Sequence, residues 1–220
     1  MTLIGGGTCT ERDLRISLSI ARTCVAADSG ADFALAQGVT PTLVVGDMDS
    51  ISDQGRRQIP ADRLWQIAEQ DSTDFDKALR HVRAPLVLAI GFLGGQIDHE
   101  LAALNTVARR SAEPIVLLGG DDLAFLCPAD LSLPLEAGTR VSLFPIMPVT
   151  GQSKGLKWPI DGLDFAPGAR VGTSNRATGP VRLQMDGPGM LCILPRRFIQ
   201  LVVSSLIALP GHARWSAPAE

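Results

Sequence analysis

Five apolar runs in the first 120 residues end alike, and that shared ending restricts the fold more than any other feature. Thr2-Leu3-Ile4 runs into Gly5-Gly6-Gly7, and Cys24-Val25-Ala26-Ala27 into Asp28-Ser29-Gly30. Leu43-Val44-Val45 runs into Gly46-Asp47-Met48-Asp49, Leu86 to Ile90 into Gly91, and Ile115 to Leu118 into Gly119-Gly120. Such runs are buried strands bounded by turn formers. Between them lie helical stretches: Ala31 to Gln37 stopped by Gly38, Ile51 to Ile59, and a segment where Phe75, Leu79 and Val82 share a face. That last helix has Ser72 or Thr73 as its cap, and a further helix spans Asp98 to Arg110. "RLWQIAEQ" is a further strand with indistinct edges. Alternation of this kind predicts a layered α/β domain with a mostly parallel sheet.

After Gly119 the texture changes. Short β-like runs are broken by Pro and Gly, and "VRLQM", Asp186-Gly187 and "MLCIL" form a hairpin pattern. The expectation is an N-terminal α/β domain over residues 1–121 and a C-terminal antiparallel β-sandwich over 122–220. Its last strand is placed at Phe198 to Val203, although "FIQLVVSSLIAL" also admits a helix. An irregular tail is expected from His212 to Glu220.

Composition excludes several functions. A net charge of -3 with scattered Lys and Arg offers no basic stripe for nucleic acid. No basic leader precedes a long apolar segment, and no run is long enough for a bilayer span, so no membrane role is expected. Cys9, Cys24, Cys127 and Cys192 are far apart with no CxxC pair, as expected of reduced thiols in a cytoplasmic protein.

In an open parallel sheet, ligands gather at the C-terminal strand ends. There the chain places its glycine turns, the Asp28-Ser29-Gly30 turn among them, and a set of acids: Asp47, Asp49, Glu69-Gln70-Asp71 with Asp74, and Asp98. Asp47 and Asp49 alternate by two, so an extended segment would aim both to one side. Gathered carboxylates call for a cation, and Mg²⁺ is a hard ion that prefers oxygen ligands and shares its shell with phosphate. The glycine turns offer bare amides to the phosphates. Each residue also has a plainer reading as turn former, helix cap or solvated side chain. No GxxxxGK[ST] and no GxGxxG opening the first helix is present, so the site is of another design.

The order and spacing of six blocks are more specific. "ADSGAD" (27–32), "GDMDSI" (46–51), "DSTDFDKAL" (71–79) and "GFLGGQIDHELAALN" (91–105) lie in the first part, with "GLKWPI" (155–160) and "GTSN" (172–175) in the second. With these blocks the chain resembles the thiamine pyrophosphokinase family over nearly its whole length. The resemblance implies transfer of the terminal diphosphoryl group of ATP to the hydroxyethyl oxygen of thiamine, giving thiamine diphosphate and AMP. It implies Mg²⁺ on Asp47, Asp49, Asp71 and Asp98, with Asp71 or Asp74 taking the hydroxyl proton. It places Gly6, Asp28, Ser29, Gly30, Thr73, Lys77, Gly94, Gly95 and Gln96 about the nucleotide. Trp158 becomes a platform for the thiamine ring, and Ser174 and Asn175 contacts to its pyrimidine. A homodimer with the thiamine site between subunits is implied as well. Alone, Trp158 also reads as a core or edge-strand filler and "TSN" as a polar turn.

Two positions depart from the family pattern. Gln96 stands where an arginine of "GGRxDH" is usual, which removes a cation unless Lys77, Arg109 or Arg110 compensates. Ser29 stands where "DGGA" has glycine. The alternatives are a hydroxymethylpterin pyrophosphokinase, a Mg²⁺-dependent nucleotide phosphatase, and a non-catalytic thiamine- or nucleotide-binding regulator.

Overall fold

The structure, a computed structural model, describes residues 1–69 and 71–216. Gln70 and the tail from Ala217 onward therefore lie outside the described residues. The chain divides into two compact units: Met1–Thr106 with Leu117–Gly120, and Val107–Val116 with Asp121 onward. Helix α5 (Ile97–Arg109) and strand β6 (Ile115–Gly119) contribute residues to both.

The first unit holds a parallel sheet of β1 (Thr2–Ile4), β2 (Cys24–Ala27), β3 (Leu43–Gly46), β4 (Leu64–Gln66) and β5 (Val87–Ile90), ordered β5-β1-β2-β3-β4. Thr2 is level with both Cys24 and Leu88, and Ile4 with both Ala26 and Ile90. Every residue of β1, β2 and β5 is buried, the mark of a parallel sheet covered on both faces. From β1 the chain steps outward through β2, β3 and β4, then returns to the other side of β1 as β5. The strand order therefore reverses between β1 and β5, where a doubly wound sheet opens a crevice.

Side-chain caps start two of the expected helices, and a glycine turn follows the end of a third. α2 (Gly30–Ala36) ends before Gly38, whose φ of +74° ends the turn. α3 (Asp53–Gln58) is capped by Ser52, whose Oγ accepts the Gly55 N–H at 2.9 Å. α4 (Asp74–His81) is capped by Thr73, one of the two residues expected there.

One helix was not expected. α1 (Glu11–Ile20) starts with a capping box in which Thr10 and Asp13 satisfy each other's amides. Its buried face is Asp13, Leu14 and Ser17, so hydrophobic periodicity does not reveal it.

The second unit is antiparallel, with β7 (Asp122–Leu126), β8 (Asp130–Leu133), β9 (Arg140–Pro145), β10 (Gly151–Leu156), β11 (Gly172–Met185) and β12 (Met190–Pro195). Its strands fall into two sheets that share the long β11. Gly172 to Arg176 pair with β9, whereas Val181 to Gln184 pair with β8 and β10. β10 bulges at Gly155, where a Cβ would strike the Pro180 carbonyl and φ is +78°.

Two expectations fail here. β12 pairs with β7 and β9, not with β11, so Asp186-Gly187 is not a hairpin turn. Asp186 instead accepts the Thr150 N–H at 2.8 Å and its hydroxyl, and the connection carries the chain to the other side of β9. The last apolar run is a helix, α6 (Ile199–Ile207), not a strand. Its buried residues Ile199, Val202, Val203 and Leu206 recur at helical spacing.

All four cysteines are free thiols, three of them buried, and no helix among the described residues is long and apolar enough to cross a membrane.

Ser17 yields a stability prediction. Its Oγ is buried with no hydrogen-bond partner among the described residues, at a helical position where alanine is intrinsically better. An unsatisfied buried hydroxyl costs about 1–3 kcal/mol, so Ser17→Ala should stabilise the protein by roughly 1 kcal/mol or more. Urea denaturation checks this, and an unchanged or lower midpoint would refute it.

Candidate active site

At the reversal point the ends of β1 and β5 touch through backbone alone. The Gly5 N–H donates to the Ile90 carbonyl at 2.8 Å, and the Gly7 N–H to the Gly91 carbonyl at 2.9 Å. A Cβ on Gly5 would lie 2.6 Å from the Gly91 oxygen, and one on Gly91, at φ +74°, 2.5 Å from the Gly5 oxygen. Any side chain would force these loops apart. They floor a cavity of about 670 Å³ that the ends of β2 and β3, the start of α4 and the first turns of α5 complete. Phe75 and Phe92 pack in one wall with ring centroids 4.2 Å apart.

Asp28, Asp47 and Asp74 converge in this cavity, with a carboxylate oxygen from each within 4.8 Å of the others. Asp28, just past β2, adopts φ +43° and is 2% exposed. Its two oxygens accept the N–H groups of Ser50 (3.2 Å) and Ile51 (2.9 Å), pinning the loop after β3. Asp32 does the same further on, accepting the Ser52 N–H at 2.8 Å and its hydroxyl at 2.6 Å. Burial pushes the Asp28 carboxyl up to about 6; the Ser50 and Ile51 amides oppose the shift, and Asp74 and Asp47 add to it.

Lys77 lies in the first turn of α4 and is 2% exposed. Its ammonium donates to Asp47 Oδ2 and Asp74 Oδ1, both at 3.1 Å. Burial opposes its charge, but hydrogen bonds and attraction from both carboxylates outweigh it, and its pKa rises. The solvated-lysine reading is thus overturned, and its charge serves the acids first.

Three carboxylates and one ammonium leave an excess of two negative charges on a cluster of hard oxygen donors. Burial is the main cause of the upward shift of Asp28, and the neighbouring Asp74 and Asp47 charges add to it. The set fits a divalent hard cation such as Mg²⁺.

The acids expected on the metal are not the ones brought together. Asp47 is, but Asp49, Asp71 and Asp98 are exposed and do not line the cavity. Alternation through Asp47 and Asp49 fails because Met48 adopts φ +66° and is buried beside Val44, Ile51 and Ile59. Met48 packs inward, and its left-handed backbone breaks the extended run that would align its neighbours. Asp49 accepts the Ser50 hydroxyl at 2.8 Å, and the cap of α3 is Ser52. Asp71 sits in the turn before α4, where its N–H donates to Glu69. The Asp98 carboxylate accepts the His99 N–H at 3.0 Å.

Among the residues expected at the nucleotide, Gly6, Asp28, Ser29, Thr73, Lys77, Gly95 and Gln96 line the cavity, whereas Gly30 and Gly94 do not. A Cβ on Gly30 would strike the Ile4 carbonyl, so it is a packing glycine that seats α2 on β1. Ser29 lies over Gly6 so closely that any Cβ there would strike its Oγ. The Gly94 and Gly95 amides are not bare: both donate to Glu100 Oε1 at 2.9 Å. Of the cations that could replace the missing arginine, Lys77 is committed as described and Arg110 pairs with Glu113 at 2.7 Å.

In the second unit, Trp158 is 52% exposed, so it is not a core filler. Lys157 places its ammonium 4.7 Å from the ring centroid. Asn175 is 6% exposed and grips Trp158 by its backbone: Oδ1 accepts the Trp158 N–H at 3.2 Å, and Nδ2 donates to the Trp158 carbonyl at 2.7 Å. Ser174 is exposed at φ +59°.

Sequence reasoning gave Asp28 to the nucleotide, not the acid cluster, and missed Asp32 and Glu100. The spacing of Asp28 and Asp32 across the start of a helix was the available signal.

Comparison with known proteins gives the lineage and the fold. The model of the thiamin pyrophosphokinase catalytic domain matches residues 15–117, and that of the thiamin pyrophosphokinase vitamin B1 binding domain residues 130–188. Thiamine pyrophosphokinase 1 of Oryza sativa subsp. japonica is 30% identical over 154 residues, which cover 61% of this chain and 58% of the rice protein. Thiamine pyrophosphokinase 1 of Arabidopsis thaliana is 31% identical over 159 residues, again 61% of this chain and 58% of that protein. The chain thus spans less than two thirds of these relatives. The crystal structure of thiamin pyrophosphokinase from Geobacillus thermodenitrificans superposes with a TM-score of 0.71 at 22% identity, covering 88% of this chain and 95% of that one. The Candida albicans enzyme gives 0.74 at 17% identity, covering 88% and 89%. At these identities the superpositions show the fold, and the two family models, in order along the chain, show the lineage. The chain belongs to the thiamin pyrophosphokinase family.

Proposed function

We propose that this protein is a thiamine diphosphokinase, which moves the terminal diphosphoryl group of ATP to the hydroxyl of thiamine and releases AMP. The observation that carries the reading is the convergence of Asp28, Asp47 and Asp74, with Lys77, over a glycine-floored cavity in a chain of this family. Residues 1–121 serve ATP and the cation, and residues 122–220 serve thiamine. The working form is a homodimer with the thiamine site between subunits.

Asp28, Asp47 and Asp74 would hold Mg²⁺, which supplies positive charge to the phosphate oxygens at the attacked phosphorus and the leaving group. Lys77 holds two of these carboxylates in place, so they are arranged before the nucleotide arrives. The Gly5–Gly7 and Gly91 backbone lets the triphosphate approach without a side chain intervening. An alcohol is a poor nucleophile and must give up its proton as the bond to the β-phosphorus forms. We assign this proton to Asp74 in preference to Asp71, because Asp74 lines the cavity and Asp71 does not. Trp158 offers its open face to the acceptor ring. Asn175 sets the Trp158 backbone instead of meeting the pyrimidine itself, and Ser174 is the polar group left exposed beside it.

Three outcomes test this. With ATP, Mg²⁺ and thiamine the protein should release AMP and thiamine diphosphate, followed by chromatography; ADP or free phosphate in their place would reject the activity. Asp47→Asn should lower kcat at least a hundredfold with little change in circular dichroism, because it removes charge that Lys77 and the cation both use; wild-type turnover would return Asp47 to a turn former.

The third outcome concerns Asp28. Its carboxyl sits above its unfolded value, so the native state takes up a proton that the unfolded chain does not between about pH 6 and the ordinary carboxylate range. Without metal, the melting temperature should therefore rise as pH falls through about 6. Added Mg²⁺ should raise it more at pH 7.5 than at pH 5.5, and Asp28→Asn should remove both effects. An Asp28→Asn protein with the wild-type pH and Mg²⁺ responses would exclude this role.

A further inference from the structure

The loop after β5 carries a pair of successive amides already filled by an anion of the chain itself. Gly94, at φ +85°, and Gly95 turn their N–H groups towards one point, and there both donate to Glu100 Oε1 at 2.9 Å. Two successive amides converging in this way form an anion-binding nest. Glu100 reaches it from α5, one turn beyond Gln96, whose carbonyl accepts the Glu100 N–H at 3.1 Å. Gly95, Gln96 and Glu100 all line the cavity that holds the acid cluster. The carboxylate thus occupies the place where a phosphate oxygen would receive the same two bonds.

Charge makes this occupancy consequential. Lys77 is the one lysine or arginine among the described residues that line the cavity, and Asp47 and Asp74 already engage it. Position 96, next to the nest, is a glutamine and brings no positive charge to it. Glu100 adds a fourth negative charge to the three of the cluster. A phosphate entering the nest must both displace this carboxylate and tolerate its charge nearby. Glu100 is half-buried, so its side chain has a way out to solvent.

We propose that Glu100 is an internal competitor for the nucleotide phosphates: it holds the Gly94–Gly95 amides in the free protein, and ATP binds by displacing it. The inference rests on the reading of the cavity as an ATP site. It makes Glu100 a determinant of nucleotide affinity in addition to a brace for the loop.

The test is an ATP titration by calorimetry in excess Mg²⁺ on the full chain, with Glu100→Gln and Glu100→Ala. It is read as binding, so it answers whether or not AMP is formed in the separate activity assay. Glutamine can still accept from both amides but lacks the charge, and a charge-assisted bond is about twice as strong as a neutral one. Glu100→Gln should therefore lower the Kd for ATP on the order of fivefold, and Glu100→Ala should lower it as well. Inorganic tripolyphosphate should show the same gain and adenosine none. In the unaltered protein, ATP should shift the amide resonances of Gly94 and Gly95. A brace alone gives the opposite pattern, with Glu100→Gln unchanged and Glu100→Ala weaker, and that result would overturn the proposal. So would an equal gain with adenosine, unmoved glycine resonances, or no ATP binding by any of the three proteins.

Discussion

The backbone contact between Gly5 and Gly91 is the constraint on which the first unit's site depends. Strand order reverses between β1 and β5, and only two residues without Cβ atoms let the loops beyond these strands close on each other. Their closure fixes how near the ends of β2 and β3 stand to the start of α4. Gly46 continues the logic: a Cβ there would lie 3.0 Å from the Asp28 Cβ and 3.3 Å from Asp74 Oδ1. The acids meet because the backbone between them is stripped of side chains.

Bringing carboxylates together this closely has an electrostatic cost, and the fold offsets it in layers. Ser50 and Ile51 amides support Asp28, and Lys77 is buried in order to bridge Asp47 and Asp74. The Asp28 carboxyl nonetheless remains raised to about 6. What the protein leaves uncompensated is what a divalent cation would supply. The cluster therefore suits a divalent cation, and a polyanion only once that cation is present. In the Gly94–Gly95 nest the fold likewise meets two converging amides with a carboxylate of its own, Glu100.

The four sequence blocks of the first unit all contribute residues to the cavity lining, and the arrangement of their acids differs from the one expected. Asp28 was legible as a strand-end residue but not as a member of the acid cluster, because its neighbours Asp47 and Asp74 are remote in sequence. Asp49 seemed equivalent to Asp47 because spacing by two suggests one side of a strand. A single left-handed residue, Met48, removes that equivalence, and its φ cannot be read from its identity. Asn175 read as a ligand contact, yet it is buried and spends its amide on the Trp158 backbone. Helix α1 escaped notice because its inward face carries Asp13 and Ser17, and local capping, not apolar periodicity, defines it.

By itself the sequence determined the strands of the α/β unit, the change to antiparallel structure after Gly119, and the strand-end position of the reactive groups. These follow from local patterns: buried runs, glycine and aspartate turns, and the caps at Thr73 and Gly38. The tertiary structure alone decided which acids face one another, that Lys77 is buried between them, and that β12 pairs with β9 and β7 instead of β11. It also decided that the final apolar run is a helix. Those outcomes depend on contacts between residues far apart in the chain and on single backbone conformations, neither of which a local pattern encodes.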